Sequence, residues 1–569
     1  MTVSGDGGDR DQAPAVRLPA RLVLSLFDLW CHLAKRPMHI VFLGALLLLG
    51  ALVWFAAPHR IYRWAMDTFI LFDGGWRIFN GQRPYVDFYS GLGPLTFQLV
   101  ALGMFLGKPA AAAVDHGFAI AAVLLGLWTW RIARSRLEKP AGFLLALSGA
   151  AMVVAPHTLG GSPFNLTYAG LYNRLGYALV IIVLVEAVGC PLLPRRKADL
   201  WGGISTGVAA SLSLFLKPTY FLVALTMAGG SFIFRDRRGK ARAAGLGIGF
   251  VIPTILMLAY LRFDLGAVWQ DMRTTALARL QVNTGTAADI SNRTAGSYAY
   301  HNFDQFFFLG FLGLLVCLLP RRVRANRCLD SWWPLAAAAG IYAIDVAFMT
   351  TNGIQFSMPL VGCFALLLVG EMHAWWDQAG EQDRSRYRVM CALILILGLG
   401  LFLPEPLKDA SAVIYSSSQS LAGKPIPHRF ESASLGDLLT RETPLGWDEP
   451  DNGKVLVDRV NEGIRLLQEK SSPSETVFVL DFVNPFSFAL LRRPAAGGTP
   501  LFGGGALNLR DLPFLDRMFS QADIIMVRNN PRLDSDAASM AWQFGGYVQK
   551  SFRLVAESPS WYLYRRAGR

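Results

Sequence analysis

Charge is scarce in this sequence. Lysine, arginine, aspartate and glutamate supply 17% of its 569 residues, where a soluble chain carries about 25%. Hydrophobic residues supply 53%. That balance excludes an ordinary soluble domain and points to a bilayer. Cysteine is sparse as well. Cys31, Cys190, Cys317, Cys328, Cys363 and Cys391 include no pair at zinc-ligand spacing, and none lies beyond residue 391. This argues against a disulfide framework and against structural zinc. No cleavable signal peptide is visible, because the first apolar run starts too late and is too long, so it stays as an anchor. No internal repeat stands out, which weakens folds built from two repeated halves. The glycines at 503–505 lack the Lys-Ser/Thr ending of a phosphate loop. The first 16 residues are polar and too poor in apolar side chains to fold alone.

What is present is long apolar runs. Segments near the 20 residues that cross a bilayer are 39–57, 113–131, 140–156, 175–192, 200–216, 218–234, 244–263, 303–319, 332–351, 356–373 and 389–405. The net charge is +13. It sits in short clusters between those runs, which is the pattern of membrane topology, so no nucleic-acid partner is predicted. Arg17, Arg21, Lys35 and Arg36 precede the first run, and Arg131, Arg134, Arg136 and Lys139 follow the second. Further clusters follow the fourth, sixth, eighth and tenth. All fall on one side, which the positive-inside rule makes cytoplasmic. The expected class is an α-helical polytopic membrane protein with about 11 transmembrane helices, multi-pass in the cell inner (plasma) membrane. Residues 1–38 form a cytoplasmic tail and 39–405 the membrane domain. Residues 94–107 are apolar but short, and are expected to be interfacial or re-entrant.

Residues 406–569 are expected to form a small extracytoplasmic α/β domain. Residues 406–450 read as an irregular linker and 455–468 as an amphipathic helix. TVFVLDF (476–482) and ADIIMVR (522–528) read as buried strands, and 547–566 as a hairpin. Its simplest role is a structural or acceptor-docking cap.

Polar and aromatic variety is concentrated in the outer loops, chiefly 58–112, 157–174 and 264–302. In Asp67–Gly93, Phe69, Phe72, Trp76 and Phe79 recur at helical spacing. This predicts an amphipathic helix on the bilayer surface. Asp67 opens it, either as an N-cap or as a carboxylate able to take a proton from an acceptor hydroxyl. Lys217, before Pro218, is either snorkelling or holding a phosphate. Arg174 has the same two readings, and Asn173 beside it is a further substrate-binding candidate. Asp345, inside the ninth run, needs a cation or a cavity, and Lys217 or Arg174 would serve. Glu186 and Glu371 read as solvated helix ends. Tyr85 and Asp87, and in the long loop Arg273, Arg279, Arg293, Tyr298, Tyr300 and His301, are candidates for a substrate-lined site.

An early Asp, an aromatic helix, "NGQRPYVDFYSGLGPLTF" and later "KPTYFLVAL" together resemble the GT-C integral-membrane glycosyltransferases. The resemblance is to the branch that uses polyprenyl-phosphate sugars, such as the protein mannosyltransferases and the aminoarabinose and galacturonosyl transferases of lipid A. It covers roughly residues 39–405. It implies an inverting hexosyl- or pentosyltransferase working on the extracytoplasmic face in cell-envelope glycan synthesis. Asp67 matches the catalytic aspartate, Asp87 the acidic position of the PY-x-D pattern, and Lys217 a basic residue before proline. Thr68 stands where the family often has a second acid, so no metal ligand is assigned. A divalent cation, Mg or Mn, stays open as a cofactor. The implied partners are a polyprenyl-phosphate-linked sugar donor, a glycan, lipid or protein acceptor, and membrane lipid. Two alternatives remain, a transporter or flippase for lipid-linked sugars and a glycan polymerase or ligase. The first should carry polar residues at mid-membrane and internal symmetry. The second would use His301 and Arg293.

Overall fold

The computed structural model describes residues 17–61, 64–189, 195–234, 239–283, 302–319, 333–352, 355–378, 381–423, 428–436, 438, 453–502, 517–529 and 536–568. Helices dominate. In chain order they are α1 (Arg17–Lys35), α2 (His39–Ala56), α3 (Asp67–Phe79), α4 (Pro94–Leu106), α5 (Ala113–Ala133), α6 (Lys139–Val154), α7 (Leu171–Val188), α8 (Arg195–Leu214), α9 (Pro218–Phe234), α10 (Lys240–Tyr260) and α11 (Leu265–Asn283). Then follow α12 (Phe303–Cys317), α13 (Trp333–Asn352), α14 (Pro359–Gln378), α15 (Glu381–Phe402) and α16 (Pro404–Leu421).

Each of the eleven apolar segments falls on a helix. Among the described residues four, α2, α5, α7 and α10, are long and apolar enough to cross a membrane, and Tyr387–Phe402 with Pro404–Leu421, bent by 43°, counts as a fifth when taken as one span. Lys139–Val154, Phe303–Cys317, Trp333–Met349 and Pro359–Met372 are apolar but shorter, as is Pro94–Leu106. The helices differ in what they face. In α7, 94% of the apolar window is buried, against 11% in α10, so α7 is the hub of the bundle. Ile252, Ile255 and Leu256 of α10 and Phe307 and Phe311 of α12 are exposed. So much exposed apolar surface needs lipid to cover it.

Small residues let α8 and α10 touch through their backbones. A Cβ at Gly207 would overlap the Leu246 carbonyl, and one at Gly249 would overlap that of Ile204. This is small-residue packing of the kind that holds membrane helices together. Gly249→Leu should therefore force the pair apart at a cost of about 2–3 kcal/mol. Gly247→Leu, where a Cβ meets nothing within 4 Å, serves as the control. Thermal unfolding in detergent checks this, and equal melting of the two variants would refute it.

The C-terminal residues form an α/β unit. α17 (Gly453–Lys470) precedes β1 (Val477–Leu480), a short α18 (Phe486–Ala489), β2 (Ile524–Arg528), α19 (Asp536–Ser551), β3 (Phe552–Glu557) and β4 (Trp561–Arg566). The strand order is β1-β2-β4-β3, with β1 and β2 parallel and the other pairs antiparallel. Both expected buried strands are present, and the terminal hairpin occupies 552–566, the first five residues expected in it being the end of α19. The expected linker is not irregular at its start: residues 404–421 are helical. Pro404 and Pro406 open that helix instead of breaking it, since a proline in the first turn has no hydrogen bond to lose.

Two further expectations give way. α3 does not lie as a surface helix with a wet face, because Thr68 through Arg77 are all buried. Gly74 and Gly75 admit the side chains of Phe97 and Val100 of α4 on one face. On the other, the Phe72 ring stacks on Phe488 at 4.7 Å, Phe69 meets Phe430 edge-on, and Trp76 Nε1 donates to the Arg492 carbonyl at 2.7 Å. The aromatic stripe is an interface with the C-terminal unit, and periodicity alone does not say what covers a stripe. Glu186 and Glu371 are not solvated ends either, being only 2% exposed.

Candidate functional site

α3 and α4 run parallel. Gly74 faces Phe97, Gly75 faces Val100, and the Phe79 and Phe105 rings lie 4.6 Å apart. Their N-terminal ends, Asp67 and Gly93–Pro94, therefore share one end of the pair. That end is tied to the turn between α8 and α9: Gly93 donates its N–H to Leu216 at 3.0 Å, and Leu95 to Phe215 at 3.2 Å. A Cβ at Gly93 would overlap the Phe215 carbonyl, so the approach requires glycine there. Lys217 is the next residue.

Asp67 is the first residue of α3, and the cap position belongs to Met66. The N-cap reading therefore gives way. The carboxyl is half-buried and burial pushes it up to about 7. A carboxyl in that range suits a general base near neutral pH. Lys217 Nζ donates to Asn173 Oδ1 at 3.3 Å and lies 5.5 Å from the centre of the Tyr172 ring. Asn173 and Lys217, both candidates, are thus in contact.

The other candidates are engaged elsewhere. Arg174 Nη1 is 2.7 Å from Asp409 Oδ1, and Nε donates to the His157 carbonyl at 2.7 Å. Asp409 also accepts from His157 Nε2 at 2.9 Å. Burial and the adjacent Arg174 hold the His157 imidazole below its usual range, so it is neutral at pH 7. Arg174 is therefore fully buried in a pair with Asp409 and is not a surface grip for a donor phosphate. Asp345 is paired with neither Lys217 nor Arg174. Its Oδ2 accepts from the Val361 N–H at 3.0 Å, at the start of α14. A helix N-terminus is a favourable place for a carboxylate oxygen, so Oδ2 is satisfied without a cation.

Asp87 braces its own turn, accepting from Arg83 N at 2.8 Å and Nε at 2.9 Å. Tyr85 sits at φ +69 within that turn and is buried. Its carbonyl accepts from Arg517 at 2.7 Å, which ties the loop to the C-terminal unit. His301, like Arg293, Tyr298 and Tyr300, lies outside the described residues.

Sequence reasoning missed Asp271. This residue of α11 is fully buried. Its Oδ2 accepts from the Ser90 N–H at 3.0 Å, and Oδ1 has no hydrogen-bond partner among the described residues. Burial raises its carboxyl well above the usual range. Beside it, Tyr89 and Thr275 share a hydroxyl hydrogen bond of 2.7 Å. Asp271 sits in the long outer loop region but belongs to no motif, so only its burial marks it.

His157, Glu405 and Asp409 approach one another closely enough to hold a metal. The charges already balance, however: Arg174 faces Asp409 and Lys408 faces Glu405 at 3.8 Å. The donor set does not call for a divalent cation, and no step is routed through one. His59, Asp115 and Ser417 align as a second buried cluster, with His59 Nδ1 at 2.8 Å from Asp115 Oδ1 and Nε2 at 3.2 Å from Ser417 Oγ. Ser417 is 1% exposed, so this is a tie between α5 and α16 and not a reachable nucleophile.

No protein-family model matches the sequence, and no curated protein matches it. Among solved structures, the chain is similar to the archaeal oligosaccharyltransferase AglB from Archaeoglobus fulgidus, solved with an inhibitory peptide and a dolichol-phosphate. The two are 13% identical, the match covers 93% of this chain and 74% of that one, and the TM-score is 0.31. A likeness at that level carries no argument about what this protein does.

Proposed function

We propose that this protein is a membrane glycosyltransferase that moves a sugar from a polyprenyl-phosphate-linked donor to an acceptor hydroxyl at the outer face of the membrane. The supporting observation is the desolvated Asp67 carboxyl at the end of the α3–α4 pair that Gly93 ties to the Lys217 turn. A proton acceptor tuned near neutrality and a cation suited to phosphate share that end.

In the proposed step the acceptor hydroxyl gives its proton to the Asp67 carboxylate as its oxygen bonds to the anomeric carbon. The bond from that carbon to the phosphate oxygen breaks, and polyprenyl phosphate leaves from the opposite side with the bonding electrons. The centre inverts. Lys217, held by Asn173, stabilises the charge growing on the phosphate, a preorganised electrostatic role. Asp87 and Tyr85 shape the loop in place of touching the reacting atoms, and Asp271 holds that loop through Ser90. Eleven spans, an inside N-terminus and an outside C-terminal unit belong to the same proposal, supported by the one-sided basic clusters.

The test is release of free polyprenyl phosphate from sugar-loaded donor by purified protein when acceptor is supplied. Lys217→Gln should slow that release by roughly 10²-fold, the scale of losing one transition-state donor. Movement of intact donor across a bilayer without release would make the protein a transporter instead.

A further inference from the structure

A second site lies at the other end of the bundle. Where α5 ends, α7 ends and α8 begins, the helices leave a cavity of about 440 Å³, within the range of small-molecule sites. It lies roughly 20 Å along α7 from Asn173, at about 1.5 Å rise per residue, so it is separate from the end that carries Asp67 and Lys217.

The cavity has two kinds of wall. Trp128, Trp201, Ile204 and Val208 give it an apolar side. Arg131 and Arg136 give it a basic one, with Glu186 between. Glu186 is already engaged. It pairs with Arg136 Nη2, and Arg242 reaches it through Nη1 at 3.5 Å and donates to its carbonyl at 3.1 Å. Asp199 also acts on Arg242. Arg136 is 2% exposed, yet its Nε and Nη1 have no hydrogen-bond partner among the described residues. Buried N–H groups without acceptors are costly, and each of these can donate singly to an anion's oxygen. Trp201 is 67% exposed and Arg131 is exposed too, so the cavity opens to the outside of the bundle.

We propose that this cavity binds an anionic membrane lipid, with its phosphate between Arg131 and the unpartnered N–H groups of Arg136, and its chain along Trp201 and Ile204. An ion alone would use the arginines and leave the apolar wall bare. A zwitterionic lipid would use the wall but bring its own cation up against the two arginines. The amphiphile satisfies both.

Native mass spectrometry of the full-length protein in detergent, titrated with phosphatidylglycerol, phosphatidylcholine or inorganic phosphate, tests this. Phosphatidylglycerol should be retained at about tenfold lower concentration than phosphatidylcholine, as a headgroup read by two arginines implies. Ile204→Trp fills the cavity without touching the Arg136–Glu186 pair, and Arg131→Gln alters an exposed position, so both should fold. Each should bring phosphatidylglycerol retention down to the phosphatidylcholine level. Equal retention of the two lipids, or retention unchanged in both variants, overturns the proposal. Displacement of phosphatidylglycerol by inorganic phosphate at equal concentration would identify a plain anion site and overturn it as well.

Discussion

Asp67→Asn is expected to leave the protein folded in the membrane and to lower sugar transfer by about 10³-fold or more, the scale of losing a positioned base together with its charge. The pH dependence makes the expectation specific. With the carboxyl pushed up to about 7, the basic form accumulates only as pH rises through that value. Transfer by the wild-type protein should therefore climb on an ascending limb near pH 7, and the variant should lack that limb. Stability should move the opposite way. The folded carboxyl binds its proton more tightly than the unfolded one, so native stability is complete below about pH 4 and declines as pH rises to about 7. The penalty above pH 7 is on the order of 3 kcal/mol. Asp67→Asn, which never ionises, should then unfold at higher temperature than wild type at pH 8 and at nearly the same temperature at pH 4. An inactive variant that melts lower at both pH values would mean only that Asp67 holds α3 in place. Wild-type turnover by the variant would remove the base from the mechanism.

The second large effect is structural. Asp409→Ala should cost about 3–5 kcal/mol, because removing one partner of a buried ion pair leaves the other charge uncompensated. Arg174 is the group left behind, 1% exposed and 2.7 Å from the lost oxygen. The neutral His157 cannot replace the carboxylate. The melting temperature in detergent should fall by roughly 5–10 °C. Asp409→Asn should fall less, since it keeps an acceptor for Arg174. The double variant Arg174→Met with Asp409→Leu should recover much of the loss, as buried pairs replaced by apolar residues of similar volume often do. A double variant no more stable than Asp409→Ala would argue that the pair acts through something other than charge burial. The location matters to the proposed mechanism. Arg174 neighbours Asn173, so loosening the first turn of α7 would disturb the Lys217 contact as well.

Some of the site is legible in the sequence. Asn173 and Lys217 were both candidates, and they touch. Asp67 was singled out by its place after the first apolar run, and it is partly withdrawn from water. Arg174 and Asp345 were recognised as charges needing partners, but the partners were misassigned. Arg174 turns to Asp409, far along the chain, and Asp345 to the Val361 N–H at the start of the next helix. Asp271 left no trace in the pattern because one aspartate in a polar stretch looks like any other until burial singles it out.

The sequence by itself determined that the chain is helical and apolar enough to need lipid, and roughly where most of the described helices and strands lie. It could do so because hydrophobic runs, helical period and strand alternation are local properties, each carried by neighbouring residues. Only the tertiary structure decided that α3 is covered on both faces, that 404–421 returns to the bundle as a helix, and that Arg174 pairs with Asp409. Those outcomes rest on contacts between residues tens to hundreds of positions apart. The free energy of pairing depends on how the chain closes around the charges, and no window of sequence contains that information.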